Sequence, residues 1–257
     1  MKKQIIAVAC FFCMGLFVNQ ANAQVENIVL VHGAWADGSG WEGVYKILVA
    51  KGYHVSVVGN SDFSLDMDVQ SVKNVLAQQT GPVILVGHSY GGAIITKAGM
   101  SEKVAGLVYV AAFAPDAGET LGALVTTDTP DPKLGILPPE NGFVWYDKTK
   151  FHEGFCGDIS GDLSEFMSDS QVPVSATTFS YINTEPAWKH KPSWYCVATE
   201  DHTIPPDGER SWAKRMNAKT TEIKGSHVIF ISQPDKVAAV IEDAANSALE
   251  DSSDFHQ

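Results

Sequence analysis

A serine flanked by glycines is the first feature of the sequence that indicates chemistry. The segment Gly87-His88-Ser89-Tyr90-Gly91 follows a run of apolar residues and precedes a helical pattern. In such a strand-to-helix turn the serine backbone is strained, and the glycines let neighbouring backbone pass without a Cβ clash. The turn would hold the hydroxyl group above the sheet, near a helix N-terminus where negative charge is stabilised. The motif therefore predicts a nucleophilic serine.

A serine hydroxyl group needs a base to become nucleophilic, and the base needs an acid to orient it. His227 follows a short strand pattern that ends at Ile223, and Asp201 follows an apolar run that ends at Ala198. The order serine, acid, histidine is the one expected for this motif. His227 is therefore the predicted base and Asp201 the preferred acid. Glu200 stays open as a second choice for the acid, although a solvated loop carboxylate is the more ordinary reading of that residue.

The tetrahedral intermediate of such a reaction carries a negative oxygen, which backbone N–H groups must meet. The residue after the nucleophile, Tyr90, is one expected donor. The loop His32-Gly33-Ala34-Trp35 follows the first predicted strand. Because Gly33 lets this loop fold back over the serine, Ala34 is the expected second donor, with a plain strand-to-helix turn as the alternative. Trp35 is expected to line an apolar substrate pocket.

These residues must be positioned by a sheet, and the sequence predicts a mostly parallel one. Apolar runs alternate with helical patterns along most of the chain, as in a parallel sheet covered by helices on both faces. Strands are predicted at residues 27–31, 54–58, 83–86, 104–110, 193–198 and 220–223. Helices are predicted at residues 41–50, 68–79, 91–98, 206–216 and 235–249. The candidate residues follow the carboxyl ends of strands, where such sheets place their sites.

The alternation of strands and helices is interrupted from about residue 115 to 192. This segment holds many of the prolines and several aromatic residues. A structureless loop of that length is improbable in a compact domain, so an inserted helical cap is predicted. Residues 24–257, including the cap, are expected to form a single domain. The aromatic residues indicate either an apolar pocket or the cap's own core.

Residues 1–23 have the pattern of a signal peptide. Lys2 and Lys3 precede an apolar run over residues 5–18, and residues 21–23 read Ala-Asn-Ala, a small-x-small cleavage site. The apolar run is too short for a membrane-spanning helix. We therefore expect an exported bacterial protein, periplasmic or secreted, without a membrane anchor.

Composition limits the range of partners. Acidic residues outnumber basic ones 30 to 18, which gives a net charge of −12 and disfavours nucleic acid as a partner. Cys156 and Cys196 remain after the signal peptide, without the spacing of a zinc site, and no metal or cofactor is predicted. An oxidising compartment would permit a disulfide between them, but buried free cysteine is common, so their pairing stays open. The sequence gives no indication of the oligomeric state.

Together, these motifs resemble the α/β-hydrolase fold family. The matching segments are His32-Gly-Ala-Trp35, Gly87-His-Ser-Tyr-Gly-Gly92, the Asp201 loop and Gly225-Ser-His227. Within that family they are similar to small-ester carboxylesterases of the methyl salicylate esterase type and to the related hydroxynitrile lyases. The resemblance covers residues 26 to about 248, and it implies a trimmed sheet of about six strands with an inserted cap.

The resemblance also bears on three alternatives. The stretch from Asp201 to Pro205 resembles the acid loop of known hydrolases, which favours Asp201 over Glu200. Hydroxynitrile lyases place a lysine directly after the catalytic histidine, whereas Val228 stands there in this chain, which disfavours cyanohydrin cleavage. A haloalkane dehalogenase would use an aspartate nucleophile, which Ser89 excludes.

The expected function is that of a cofactor-free serine carboxylesterase. Its substrate would be a small-molecule ester with a small to medium apolar acyl group, cleaved through an acyl-enzyme. The same residues would also serve lactones, thioesters or amides, since the triad does not discriminate between them. A non-catalytic ligand-binding protein could reuse the fold, but the intact set of Ser89, Asp201 and His227 argues against it.

Overall fold

The computed structural model describes residues 24–125 and 131–251. The predicted signal peptide, residues 1–23, lies outside the described residues. Within the described part, none of the helices combines the length and the apolar character that crossing a membrane requires.

Six strands form one parallel sheet, in the order β2-β1-β3-β4-β7-β8, and two short strands form a separate antiparallel pair. The strands are β1 (Asn27–Val31), β2 (His54–Val58), β3 (Val83–His88), β4 (Val104–Val110), β5 (Phe143–Val144), β6 (Val174–Ser175), β7 (Ser193–Ala198) and β8 (Lys219–Ile223). The prediction of a mostly parallel sheet of about six strands is confirmed. The predicted strand positions differ from the observed ones by at most two residues at either end.

Helices flank the sheet, with α1 packed against α9 and α2 packed against α3. The helices are α1 (Glu42–Ala50), α2 (Leu65–Gln78), α3 (Tyr90–Ala98), α4 (Leu121–Val125), α5 (Lys148–Lys150), α6 (Gly161–Asp169), α7 (Pro206–Arg215), α8 (Ile229–Ser232) and α9 (Pro234–Asp251). A π-helical turn, Phe151–Phe155, continues α5, and 3₁₀ turns lie at Gly38–Trp41, Ala176–Ser180 and Ala187–Lys189.

The burial of each strand follows its place in the sheet. Every residue of β1, β3 and β7 is buried, whereas most residues of the edge strands β2 and β8 are exposed or half-buried. A parallel strand covered by helices on both faces needs a continuous apolar run, which the sequence supplies in these three of the four interior strands. Because the strands run parallel, the carboxyl ends of β3, β7 and β8 lie at the same edge of the sheet.

The cap, over about residues 115–192, is less helical than predicted. Among the described residues between β4 and β7, the longest helix is the nine-residue α6, whose N-terminus is capped by the Ser160 hydroxyl group. The strands β5 and β6 pair in antiparallel register, with Phe143 opposite Ser175. Prolines such as Pro138 and Pro139 disfavour a continuous helix here, since proline lacks a backbone donor. The cap is therefore built from short elements of both kinds.

Two local expectations differ from the structure. Helix α2 begins at Leu65 rather than at residue 68, because the Ser64 hydroxyl group accepts a hydrogen bond from the N–H of Met67 at 3.3 Å and caps the helix. The short α8, directly after the predicted histidine, was not predicted at all.

Cys156 and Cys196 are both buried and free, so no disulfide joins them.

Glycines let α3 pack directly against β1. A Cβ atom at Gly91 would lie 2.7 Å from the carbonyl oxygens of Val31 and His32. Both neighbours are backbone atoms, so they cannot move aside without distorting the strand. The backbone of α3 and the end of β1 therefore approach as closely as they do only because residue 91 has no side chain.

We predict that Gly91→Ala lowers the free energy of unfolding by about 1–3 kcal/mol, because the added methyl group overpacks a rigid backbone contact. Gly161→Ala is the matched control, since a Cβ atom at that first residue of α6 has no neighbour within 4 Å. Urea unfolding followed by circular dichroism measures both variants. Equal stability of the two variants would contradict the packing argument.

Candidate active site

Ser89 lies in a strained turn between β3 and α3. Its backbone has φ 52° and ψ −121°, in a region that residues other than glycine rarely adopt. The Ser89 carbonyl oxygen accepts hydrogen bonds from the N–H groups of Gly92 at 2.9 Å and Phe113 at 3.1 Å. These bonds stabilise the strained conformation, and they fix the direction in which the hydroxyl group leaves the sheet.

The structure brings Ser89, His227 and Asp201 together in one chain of hydrogen bonds. The distance from Ser89 Oγ to His227 Nε2 is 2.8 Å, and that from His227 Nδ1 to Asp201 Oδ2 is 2.6 Å. The other oxygen of Asp201 accepts from the N–H groups of Thr203 at 2.7 Å and Ile204 at 2.8 Å. Both His227 and Asp201 have fully buried side chains, so water does not compete for these bonds.

The alternative acid, Glu200, does not reach His227. Its side chain is half exposed and lies 3.5 Å from Lys224. The neighbouring His202 also faces away from the triad, since its Nδ1 atom is 2.7 Å from Asp131 in the cap. Of the two carboxylates considered, only Asp201 is in contact with the imidazole ring.

The loops that follow β7 and β8 are joined by backbone hydrogen bonds. The N–H of Thr199 donates to the carbonyl of Ile223 at 3.0 Å, and the N–H of Glu200 donates to the carbonyl of Gly225 at 3.0 Å. These bonds extend the pairing of β7 and β8 beyond the ends of the strands. They hold the aspartate loop and the histidine loop at a fixed separation.

Ala34 and Tyr90, the residues expected to provide the oxyanion donors, line the same small cavity as Ser89. A Cβ atom at Gly33 would lie only 2.7 Å from Ser89 Cβ, which shows how closely this loop passes over the serine. In the part of the chain that the structure describes, the N–H groups of Ala34 and Tyr90 have no acceptor. Both groups are therefore free to bind a negative oxygen.

His88 contacts the histidine loop and the helix α8 that follows it. Its Nε2 atom donates to the carbonyl oxygen of His227 at 2.9 Å, and its ring packs against the His227 ring at 4.7 Å and the Phe230 ring at 4.4 Å. Burial, followed by the proximity of His227, lowers the pKa of His88 well below its ordinary value. His88 is thus a neutral, packed residue.

Asp158 connects the cap to the histidine loop, and sequence reasoning missed it. Its Oδ2 atom accepts from the N–H of Ser226 at 2.9 Å and from the hydroxyl group of Ser232 at 2.7 Å. The Ser226 hydroxyl group donates to the other oxygen of Asp158. No local pattern marks this residue, because its partner Ser226 lies 68 positions away in the sequence.

A second missed group of acids lies beneath Tyr90. The Tyr90 hydroxyl group donates to Asp68 Oδ2 at 2.8 Å, and Asp68 Oδ1 accepts from the N–H groups of Ser61 and Asp62. The side chain of Asn60 donates to Asp62 at 2.8 Å. Burial, and then the charge of Asp68, raise the pKa of Asp62 to about 8. The sequence indicated only a helix start at this position.

An apolar cavity of about 20 Å³ lies beside Ser89 under the cap. Its walls are formed by Ala34, Trp35, Ser89, Tyr90, Phe113, Leu121, Val125, Ile136, Val174, Thr178, Phe179 and Thr203. Trp35 is held in this wall by a hydrogen bond from Nε1 to the carbonyl of Val144 in the cap, at 2.9 Å, and its backbone has φ 58°. On its other side, Trp35 lines a larger groove of about 240 Å³. The structure thus places the predicted pocket residue between two spaces.

The arrangement has the parts that nucleophilic acyl transfer needs. A hydroxyl group, an imidazole and a carboxylate form a relay, and residues Ala34 and Tyr90 line the same cavity as the hydroxyl group. Over residues 24–125 and 131–251, no cluster of three or more histidine, cysteine, aspartate or glutamate side chains is suited to hold a metal ion.

The sequence matches a known family along most of its length. A sequence model described as the "Alpha/beta hydrolase family" matches residues 28–240. One relative is a pyrethroid hydrolase of Sphingobium wenxiniae, which is 28% identical over 251 residues that cover 88% of this chain and 90% of the relative. Another is Methylesterase 7 of Arabidopsis thaliana, 28% identical over 254 residues that cover 84% of this chain and 94% of the relative.

Solved structures show the same architecture. The crystal structure of a pyrethroid hydrolase from Sphingobium faniae has a TM-score of 0.77 at 27% identity, and the match covers 88% of this chain and 99% of that chain. The crystal structure of polyneuridine aldehyde esterase has a TM-score of 0.74 at 20% identity, covering 86% and 99% of the two chains. The second likeness shows a shared fold alone.

The buried Asp62 predicts a pH dependence of stability. Its pKa of about 8 in the folded protein exceeds that of an aspartate in the unfolded chain, so the folded state binds more protons between about pH 4 and pH 8. The contribution of Asp62 to stability is therefore lost as the pH rises through this window. The Asp62→Asn variant lacks that titration. The free energy of unfolding of the variant minus that of the unmodified protein is therefore expected to rise from pH 5 to pH 8.

Urea unfolding at pH 5, 6, 7 and 8 measures the difference, with Glu165→Gln on the exposed side of α6 as the control. The control is expected to keep a constant offset from the unmodified protein. A constant offset for Asp62→Asn as well would show that the Asp62 carboxyl group is already ionised at low pH.

Proposed function

The chain belongs to the α/β-hydrolase family, and from this we propose that it is a serine esterase for carboxylic esters with small to medium apolar acyl groups. The observation that supports the proposal is the unbroken hydrogen-bond chain from Ser89 through His227 to Asp201, beside an apolar cavity. Each member of that chain has a separate task in ester hydrolysis.

In the first half of the reaction, Ser89 Oγ attacks the ester carbonyl carbon while His227 Nε2 accepts the hydroxyl proton. The carbonyl oxygen becomes negative and is bound by the N–H groups of Ala34 and Tyr90. Asp201 keeps the proton on Nδ1 of the imidazole ring and stabilises the positive charge that forms there. The intermediate then collapses, the bond to the alcohol oxygen breaks, and His227 gives its proton to the departing alcohol.

In the second half, a water molecule takes the place of the alcohol. His227 Nε2 accepts a proton from the water as its oxygen attacks the acyl carbon. The same two N–H groups bind the second negative oxygen. Collapse releases the carboxylic acid and returns the proton to Ser89 Oγ, so the enzyme regains its initial state.

The walls of the cavity support a neutral, apolar acyl group. None of the described residues that line the space beside Ser89 carries a charge. A carboxylate buried there would lose its hydration without gaining a partner, which is costly. The cavity shares Val125, Ile136 and Phe179 with a neighbouring space of about 180 Å³. A longer acyl chain would extend past these three side chains into that space.

The relatives support ester cleavage and suggest substrates to examine. One relative is named a pyrethroid hydrolase and another a methylesterase. A pyrethroid and a simple aryl methyl ester therefore belong beside generic esters in a substrate panel.

We predict that the purified protein releases p-nitrophenol from the neutral acetate, butyrate and hexanoate esters. The kcat/KM for p-nitrophenyl hemisuccinate is expected to be lower than that for the neutral esters by a factor of about ten or more, because its carboxylate must be desolvated.

Ser89→Ala is expected to lower kcat by about a thousandfold or more, because it removes the nucleophile. Ser71→Ala on α2, whose hydroxyl group bonds only to the helix backbone, is the control with unchanged turnover.

Turnover that survives in Ser89→Ala would contradict the assignment of the nucleophile. Turnover of lactones, thioesters or amides in preference to every ester of the panel would replace the ester proposal with one of those classes. Binding of the esters without any release of alcohol would indicate a ligand-binding protein that has kept the fold.

We also propose that the protein is exported, on the support of the pattern in residues 1–23 alone. Expression of the full chain in a bacterium is expected to yield a periplasmic or secreted form whose N-terminal residue is Gln24. Leu16→Arg, which places a charge in the apolar run, is expected to retain the uncleaved chain in the cells. N-terminal sequencing of each fraction checks this, and an uncleaved cytoplasmic form of the unmodified chain would contradict export.

A further inference from the structure

A second carboxyl group lies directly behind the triad aspartate. Glu209, on α7, is entirely buried. Its Oε2 atom accepts a hydrogen bond from the N–H of Ala198, at the end of β7, at 3.1 Å. Its Oε1 atom finds no N–H or O–H donor among the described residues. The carboxyl group of Asp201 acts on that of Glu209 through its charge and through side-chain hydrogen bonding, and both effects raise the pKa of Glu209.

Among the described residues, no lysine or arginine side chain forms an ion pair with either of these two acids. Besides Asp201, the titratable groups that act on Glu209 are Tyr195 and Cys196 on β7, both buried, and Arg210 on α7. The Arg210 guanidinium group is exposed and binds Glu222 at 2.8 Å. Within residues 24–125 and 131–251, Glu209 takes part in no ion pair.

Two carboxylates in contact in a buried site cannot both stay ionised, so the pair must hold a proton. Asp201 accepts three N–H hydrogen bonds, from His227, Thr203 and Ile204. Among the described residues, Glu209 accepts one, from Ala198, and its Oε1 atom accepts none. The proton therefore resides on Glu209, whose pKa is raised well above its ordinary value by burial and by the charge of Asp201.

We propose that Glu209 is a positioning residue that stays protonated and donates a hydrogen bond from its carboxyl group to the carboxylate of Asp201. The proposal rests on the catalytic role of Asp201 in the proposed function. Through this bond Glu209 fixes the orientation of Asp201, and with it the ring of His227.

The experiment compares two substitutions of Glu209 that differ in their ability to donate. In Glu209→Gln, the amide N–H group can donate to Asp201 at every pH, and the amide oxygen can still accept from Ala198. We expect its kcat to stay within about twofold of the unmodified enzyme and the acid limb of its kcat/KM profile to stay within about 0.3 pH units. Glu209→Leu cannot donate, and we expect kcat to fall about tenfold with KM unchanged.

Two outcomes of the kinetics would overturn the proposal. If Glu209 were ionised, its replacement by glutamine would remove a negative charge near His227 and shift the acid limb to lower pH by about one unit. If Glu209→Leu kept the full kcat, the residue would have no positioning role. Asp207→Asn on the same helix is the control, because the Asp207 side chain is 94% exposed.

Infrared spectroscopy tests the protonation without any substrate, and so it separates this proposal from the proposed function. At neutral pH the unmodified protein is expected to show the carbonyl band of a buried carboxylic acid that Glu209→Gln lacks. The Asp62→Asn variant identifies the separate band of the other buried acid. If Glu209→Gln left the carboxylic acid carbonyl bands unchanged, Glu209 would be ionised in the unmodified protein. That result would overturn the proposal, even if every ester in the panel were hydrolysed.

Discussion

The site depends on one buried negative charge and on the hydrogen bonds that share it. Asp201 and His227 have no solvent-accessible side-chain surface, and the chain of bonds that they form ends at Ser89 Oγ. In an environment of low polarity these bonds are stronger than they would be in water, and an unpaired member would be costly. The three residues follow different strands, so this interaction is available only when β3, β7 and β8 end at the same edge of the sheet.

The cap completes the site through contacts with residues on the sheet. Asp158 accepts hydrogen bonds from Ser226, next to His227, while the backbone of Val144 accepts one from Trp35. The first contact orients the loop that holds the base, and the second fixes the wall of the cavity beside the nucleophile. The cap therefore contacts both the loop that holds His227 and the wall of the cavity beside Ser89, although none of its residues belongs to the hydrogen-bond chain of Ser89, His227 and Asp201.

Two pairs of buried acids flank the site, and within the described ranges neither pair has a lysine or arginine partner. Asp62 and Asp68 lie beneath Tyr90, and Glu209 lies behind Asp201. In each pair burial disfavours the second charge, so one carboxyl group holds a proton and the pair carries a single charge. Such pairs reduce stability compared with an apolar core, but they place hydrogen-bonding groups next to the oxyanion donor and the triad acid. The electrostatics of the site are thus set by protonation rather than by ion pairs.

The sequence by itself determined the sheet, the helices that flank it and the order of the motifs. Apolar runs such as residues 83–86 and the glycines around Ser89 act on neighbouring residues, so their consequences can be read locally. The tertiary structure decided which distant groups meet. The bonds of Asp158 and the contact of Glu209 with Asp201 follow from the packing of the cap and of α7 on the sheet, which no local pattern encodes. The free state of Cys156 and Cys196 was decided in the same way, because a disulfide depends on distance in space and not on spacing in the chain.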